Sequence, residues 1–94
     1  MMRFESPYGH IVLTDERKQH ILAYHPDMAD CFRHFALTLA KPEREIRSVH
    51  DPLAIICYKF LPHRKKYLAI VVKTGVHPFV LTAYLVKRLR GATL

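Results

Sequence analysis

The chain has few of the residues from which disulfide scaffolds and phosphate-binding loops are made. It contains two cysteines, Cys31 and Cys57, each among apolar neighbours, and we interpret both as buried free thiols rather than a disulfide. It contains three glycines and no glycine-rich segment, which excludes a phosphate-binding glycine loop. The unpaired cysteines favour a reducing compartment, so we expect the protein to be cytoplasmic.

Metal-ligand patterns and long apolar runs are also missing. The seven histidines include no pair at i and i+4, and neither a Cys-x-x-Cys pair nor a carboxylate cluster occurs. We therefore expect no metal and no cofactor. The longest apolar stretch, residues 68–72, is too short to cross a bilayer, and the N-terminal segment lacks the apolar run of a signal peptide. No membrane partner is expected.

Acidic residues are scarce relative to basic ones. Fifteen Lys and Arg stand against eight Asp and Glu, which gives a net charge of +7, with basic clusters at 63–66 and 87–90. This excess favours an acidic partner, with nucleic acid first, although ordinary solubility charge is the alternative. The length of 94 residues, half of them hydrophobic, predicts one folded domain over residues 1–94.

The hydrophobic period changes at Pro42. Before it, apolar residues at helical spacing predict two helices, near 15–25 and 27–41. After it, a period of two predicts four strands, over 45–49, 54–61, 67–73 and 79–85, whose short connections favour antiparallel pairing. The predicted fold is α+β, with two N-terminal helices packed on a four-stranded antiparallel sheet. Residues 11–13 fit either an edge strand or the lead-in to the first helix.

The last two predicted strands each combine an apolar face with a more polar one. In the last strand, alternation places Phe79, Leu81, Ala83 and Leu85 on the core face and Val80, Thr82 and Tyr84 on the other. In the strand before it, Tyr67 and Lys73 fall on the side opposite the core residues. In a chain this basic, we interpret the shared polar face as a place for a phosphate.

Several short stretches, taken in order, resemble one family. They are His20-Ile21-Leu22 followed by His25-Pro26; Thr38-Leu39 followed by Pro42 and Ile46; Tyr58-Lys59; residues 66–73; and Thr82-Ala83-Tyr84. Over residues 10–90, their order and spacing resemble the phage and mobile-element nuclease-like domains of the barnase–EndoU–colicin–RelE superfamily. The resemblance implies N-terminal helices followed by a four-stranded antiparallel sheet. It also implies a metal-independent ribonuclease, often a toxin or effector.

The resemblance further implies which side chains carry the chemistry. The family's proposed centre joins a histidine near the helices to polar residues on the sheet, which here correspond to His25, Tyr58, Lys59, Thr82 and Tyr84. The predicted catalytic residues are His25, Lys59 and Thr82. An imidazole titrates close to neutral pH and can move protons. The alternative for His25 is a structural role at the end of a helix.

Four further side chains are predicted to bind the substrate. Tyr58 and Tyr84 would stack on bases, Lys73 would hold the phosphate that is cleaved, and Arg47 would add positive charge. The alternatives are half-buried strand tyrosines and a strand-end lysine that deters edge pairing.

Two functions remain open from the sequence. One is an RNA endonuclease in which the 2′-hydroxyl attacks the adjacent phosphate. The other is a non-catalytic module that grips RNA, DNA or an acidic protein such as an antitoxin or immunity protein. Both need the same basic face, so the sequence does not separate them.

Overall fold

The protein folds as a mixed six-stranded sheet with two short α-helices packed against one face. The computed structural model describes residues 1–89, so Arg90 of the basic C-terminal cluster lies outside the described residues. The elements in chain order are β1 (Met2–Ser6), β2 (Gly9–Leu13), α1 (Asp15–Tyr24), two 3₁₀ turns (Pro26–Met28 and Phe32–His34), α2 (Phe35–Ala40), β3 (Arg44–Arg47), β4 (Ala54–Leu61), β5 (Lys66–Lys73) and β6 (Phe79–Val86). The strands lie in the order β1-β2-β6-β5-β4-β3.

The predicted fold of two helices on a four-stranded antiparallel sheet is wrong. A hairpin of β1 and β2 precedes the helices and adds two strands to the sheet. β2 lies parallel to β6, where the Val12 N–H donates to the Pro78 carbonyl at 3.2 Å. Parallel neighbours need a long crossover, and the chain between β2 and β6 supplies one. The four strands β3 to β6 correspond to the four predicted strands and pair antiparallel in sequence order, although β3 ends at Arg47 and not at residue 49.

The N-terminal hairpin gives little signal in the sequence, because Phe4 is the one buried side chain of β1. Its turn is built by Ser6, whose Oγ accepts the Tyr8 N–H at 3.0 Å and donates to the Gly9 carbonyl at 2.8 Å. Gly9 has a φ of +97°, a conformation that favours glycine. Residues 11–13 therefore belong to a strand, which is one of the two alternatives that the sequence allowed.

The first predicted helix is confirmed. Thr14 caps α1, since its Oγ1 accepts the Arg17 N–H at 3.1 Å. The helix ends at Tyr24, immediately before His25 and Pro26, because the residue before a proline is disfavoured in the helical conformation.

The second predicted helix, over 27–41, is wrong in extent. Two 3₁₀ turns occupy its first half, and α2 covers only Phe35–Ala40. Met28 and Cys31 are both fully buried and lie three residues apart. A 3₁₀ turn places i and i+3 on the same side, so this spacing is satisfied without a continuous α-helix.

A β-bulge at Leu81 changes which side chains of β6 face the core. The register between β5 and β6 shifts at this point, which leaves Leu81 as the extra residue. Val80 is therefore fully buried and Leu81 is half-buried, the reverse of the predicted alternation. Arg17 Nε donates to the Leu81 carbonyl at 3.0 Å, which fixes α1 alongside β6.

The sheet curls so that its two edges approach each other on the helix side. The Tyr8 hydroxyl, in the β1–β2 turn, donates to Glu45 Oε2 on β3 at 2.7 Å, although β1 and β3 are opposite edge strands. Burial and the bond to Glu45 raise the pKa of Tyr8 to about 12. The curl encloses an apolar core that includes Phe4, Ile11, Ile21, Phe35, Cys57, Ile70 and Val80.

Both cysteines are buried and unpaired, as predicted. Burial raises the pKa of the Cys57 thiol to about 12 and also raises the pKa of Cys31, so both stay in the thiol form. Within residues 1–89, no helix has both the length and the apolar character needed to cross a membrane.

Candidate nucleic-acid interface

The face of the sheet turned away from the helices carries a second, smaller apolar cluster. Cross-strand pairing places Ala69 of β5 between Tyr58 of β4 and Tyr84 of β6. Because alanine ends at Cβ, the sheet surface is lower between the two tyrosines. We call this surface the open face, and its side chains include Ile46, Ile56, Tyr58, Tyr67, Ala69, Tyr84 and Val86.

A groove of about 680 Å³ lies on the open face between β3 and the end of β6. Its floor is largely apolar and is formed by Ile46, Ile56, Tyr58, Tyr84 and Val86. Its rim carries the basic side chains of Arg47, His50, Lys87 and Arg88. A concave surface of this composition can hold a base on its floor while the rim cations contact phosphates.

His25 lies beside the open face, at the end of α1. Its N–H donates to the Ile21 carbonyl at 2.7 Å and its carbonyl accepts the Met28 N–H at 2.9 Å, so the backbone joins α1 to the next turn. Its half-buried ring lies 5.9 Å from the ring of Tyr84, between centroids. Since Tyr84 lines the groove, the imidazole stands next to the groove. His25 thus ends the helix and also lies beside Tyr84, one of the residues that line the groove.

The aromatic side chains of this face differ in what they offer a base. Tyr58 is 3 % exposed, so its ring is part of the floor of the groove and is not free to stack on a base. Tyr84 is half-buried, and burial raises the pKa of both tyrosines, so both hydroxyls stay protonated. Phe60 is exposed on the same face and packs edge to face on Tyr67 at 5.2 Å.

The three predicted catalytic residues are not brought together. Thr82 lies on the open face, two positions before Tyr84 on β6. Lys59 pairs with Leu68, whose side chain is part of the main core, so Lys59 projects from the opposite face. Lys59 Nζ lies 3.6 Å from Glu43 Oε1. The roles of His25 and Thr82 stay predictions, and the sheet separates Lys59 from both.

Lys73 and Arg47, both predicted to bind RNA, contact the β3–β4 loop. Lys73 Nζ pairs with the Asp51 carboxylate and holds the pKa of that carboxyl below its usual range. Arg47 Nη1 donates to the Pro52 carbonyl at 2.9 Å. This loop contributes one wall of the groove, which consists of Ser48, Val49 and His50. The two cations therefore help to fix that wall.

Part of the groove was not predicted from the sequence. Ile56 lies on a predicted strand and Val86 directly follows one. Both share a face with Tyr58 and Tyr84, so strand alternation is the signal that identifies them. His50 lies in a loop, where no periodic pattern applies.

Among residues 1–89, no three His, Cys, Asp or Glu side chains lie close enough together to hold a metal ion. Comparisons of the chain with family models, curated proteins and solved structures gave no match. The chain's own residues therefore carry what can be inferred about its function.

Proposed function

We propose that the protein is a metal-independent RNA endonuclease that binds single-stranded RNA on the open face. The observation that carries this proposal is the position of His25, whose ring lies 5.9 Å from Tyr84 and so beside the basic-rimmed groove. A histidine at the edge of a phosphate-binding surface can transfer protons during RNA cleavage. The resemblance of His25-Pro26 and Thr82-Ala83-Tyr84 to the phage nuclease-like domains supports the same activity.

The proposed reaction uses the 2′-hydroxyl of the RNA as its nucleophile. The 2′-oxygen attacks the adjacent phosphorus and the bond to the 5′-oxygen breaks, which yields a 2′,3′-cyclic phosphate and a 5′-hydroxyl. One proton leaves the 2′-hydroxyl and one is delivered to the 5′-oxygen, and His25 serves one of these transfers. Arg88 on the rim stabilises the charge that develops on the phosphate, and the Thr82 hydroxyl donates to a phosphate oxygen.

Single-stranded RNA is the proposed substrate because only an unpaired base can reach the floor of the groove. Tyr84 offers a partly accessible ring there, and Phe60 and Tyr67 extend the aromatic surface along the same face. Bases on either side of the cleaved phosphate then have rings on which to stack.

A second function, binding without cleavage, is favoured by one observation. Lys59, the lysine that the resemblance assigns to the centre, lies across the sheet from Thr82. On this account the open face grips RNA, or an acidic antitoxin or immunity protein, and His25 only ends a helix. For both functions we propose the cytoplasm as the location, since buried free thiols fit a reducing compartment.

The test is incubation of single-stranded RNA with the protein in EDTA, followed by analysis of the product ends. The nuclease proposal expects cleavage that persists in EDTA and leaves 2′,3′-cyclic phosphates. An all-DNA strand of the same sequence is the matched control, and it should stay intact because it lacks the 2′-hydroxyl. RNA binding with no cleavage at any concentration would instead support the binding function, and cleavage of the DNA strand would contradict the mechanism.

A further inference from the structure

Two histidines meet on the helix side of the sheet, away from the groove. His34 closes the second 3₁₀ turn and precedes α2, whereas His63 lies in the β4–β5 turn. Their ring centroids are 5.3 Å apart and the rings are inclined by 37°. Thr38 Oγ1 donates to the His34 carbonyl at 2.7 Å, which fixes the backbone from which His34 projects.

The Nε2 atom of His34 is buried and has no hydrogen-bond partner in the part of the chain that the structure describes. Native proteins leave few buried polar atoms unpaired, because such an atom has lost its hydrogen bonds to water without replacement. His63 beside it is exposed, so the pair lies at the protein surface. An orphaned ring nitrogen next to an accessible imidazole therefore indicates a binding site.

The surroundings of His34 are positively charged. Burial, together with the charges of Arg33, His63 and Lys59, holds the pKa of His34 below its ordinary value, and Asp30 acts in the opposite direction. The ring is therefore largely neutral at neutral pH. A neutral imidazole that carries its proton on Nε2 is a hydrogen-bond donor, and in this field it favours an anionic acceptor.

The nearby carboxylates already have cationic partners. Glu43 Oε1 lies 3.6 Å from Lys59 Nζ, and Asp30 Oδ1 accepts a hydrogen bond from Arg64 Nη1 at 2.7 Å. Among residues 1–89, Arg33 takes part in no ion pair. The local balance of charge therefore leaves positive charge available to a ligand, and it opposes the binding of a metal cation.

We propose that His34, His63 and Arg33 form a binding site for a phosphate group, with Lys59 at its border. A phosphate oxygen accepts the hydrogen bond that His34 Nε2 lacks, and Arg33 neutralises a second oxygen. The phosphate is either free in solution or the terminal phosphate of an RNA strand. The site lies across the sheet from the groove, so it does not depend on cleavage at His25.

The experiment is a proton NMR titration of the histidine ring resonances with inorganic phosphate, with sodium chloride at matched ionic strength as the salt control. We expect the His34 and His63 resonances to shift saturably while those of His20 and His77 do not. Bound phosphate should raise the pKa of His34 by about 1 unit, the lower end of the effect of an adjacent opposite charge. Resonances are assigned with the single His→Gln variants.

Two matched variants test the charge. Arg33→Gln should weaken phosphate binding by roughly two- to five-fold, as expected for a partly exposed ion pair. Arg3→Gln removes the same charge from β1 at one edge of the sheet and should leave the titration unchanged. Phosphate that leaves both histidines unshifted would overturn the proposal, and so would equal weakening by the two variants.

The source of the phosphate is distinguished with 2′-O-methyl RNA, which lacks the nucleophile and so cannot be cleaved by the proposed reaction. Strands with a 5′-phosphate and with a 5′-hydroxyl are compared for their effect on His34. A shift caused only by the phosphorylated strand supports the site as a receptor for RNA ends. A shift caused by inorganic phosphate alone supports a site for free phosphate. The cleavage assay in EDTA tests the ribonuclease activity at the groove separately. Either the phosphate site or the ribonuclease activity can therefore be refuted without the other.

Discussion

The imidazole of His25 and the phenol ring of Tyr84 lie 5.9 Å apart, although one residue ends α1 and the other belongs to the last strand. Arg17 sets this relationship, because its Nε donates to the bulged Leu81 carbonyl at 3.0 Å and holds α1 along β6. A nucleotide seated on Tyr84 would therefore have a histidine at its side.

Replacement of Tyr84 tests whether its ring receives a base. Tyr84→Phe keeps the ring and should retain RNA binding, whereas Tyr84→Ala should cost about 1–3 kcal/mol of binding free energy, the range found for base stacking. Binding is measured by fluorescence anisotropy with a short uncleavable 2′-O-methyl RNA. Urea unfolding of both variants separates a loss of stacking from a loss of fold, and equal affinity of the two variants would show that the ring is not used.

The basic rim of the groove predicts a salt-dependent affinity for RNA. Each cation that contacts a phosphate releases counterions, so Lys87→Gln and Arg88→Gln should each reduce the slope of log affinity against log salt by about 0.7. Lys41→Gln, beyond the C-terminus of α2 on the helix side, is the matched control and should leave the slope unchanged. An affinity for RNA that does not vary with salt would contradict the proposed interface.

The Lys73–Asp51 ion pair predicts that Lys73 affects RNA through the loop that forms the groove wall. Lys73→Met and Asp51→Asn should both weaken RNA binding, because each variant releases the same loop. The measurement is again anisotropy, with the two affinities compared at one salt concentration.

Changes of opposite sign in the RNA affinity of the two variants would support the direct contact between Lys73 and phosphate that the sequence predicts. If Lys73 contacts phosphate, Asp51→Asn frees its ammonium group and removes a negative charge, so binding should strengthen while Lys73→Met still weakens it. This comparison therefore separates a cation that binds RNA from a cation that anchors a loop.

The hydrogen bond from Tyr8 to Glu45 should contribute to stability, because it joins the two edges of the curled sheet. Tyr8→Phe should lower the free energy of unfolding by about 1 kcal/mol, the usual net worth of a hydrogen bond. Tyr24→Phe is the matched control, since Tyr24 is 71 % exposed on α1. Urea unfolding measures both, and equal effects would show that the bond does not hold the edges together.

The pH dependence of this effect has a definite sign. The folded-state pKa of Tyr8 is raised to about 12, so the contribution is fully present below the unfolded value of about 10 and is lost as the pH rises through 12. The difference in unfolding free energy between wild type and Tyr8→Phe should be constant from neutral pH to about pH 9 and shrink above it.

The strands β4 to β6 could be predicted because each is a short, largely apolar run that follows its partner through a short connection. The β1–β2 hairpin could not, since β1 buries only Phe4 and its parallel contact with β6 depends on a distant part of the chain. Over so few residues, periods of 3 and 3.6 are hard to distinguish, so the 3₁₀ turns around Met28 and Cys31 were predicted as helix.

In the candidate site too, some features could be predicted from the local sequence pattern and others could not. Tyr84 and Thr82 could be assigned to one face because the alternation of side chains holds beyond the bulge. Val80 and Leu81 were each assigned to the wrong face, because the hydrophobic pattern of the sequence does not reveal a bulge. Lys59 was grouped with His25 and Thr82 from the resemblance, and because a lysine within an apolar strand needs solvent or a partner. Strand pairing places Lys59 on the other face of the sheet, because a shift of one residue along a strand reverses the face on which a side chain lies.

The most direct test of the proposed mechanism is the rate of single-stranded RNA cleavage in EDTA by His25→Ala, measured against His20→Ala in α1 as a control. We expect His25→Ala to cleave about 100-fold or more slowly than wild type, the usual contribution of a positioned general acid or base. His20→Ala should cleave at close to the wild-type rate, with both variants folded by circular dichroism. Cleavage by His25→Ala at the wild-type rate would contradict the proposed mechanism and leave His25 as a residue that ends a helix.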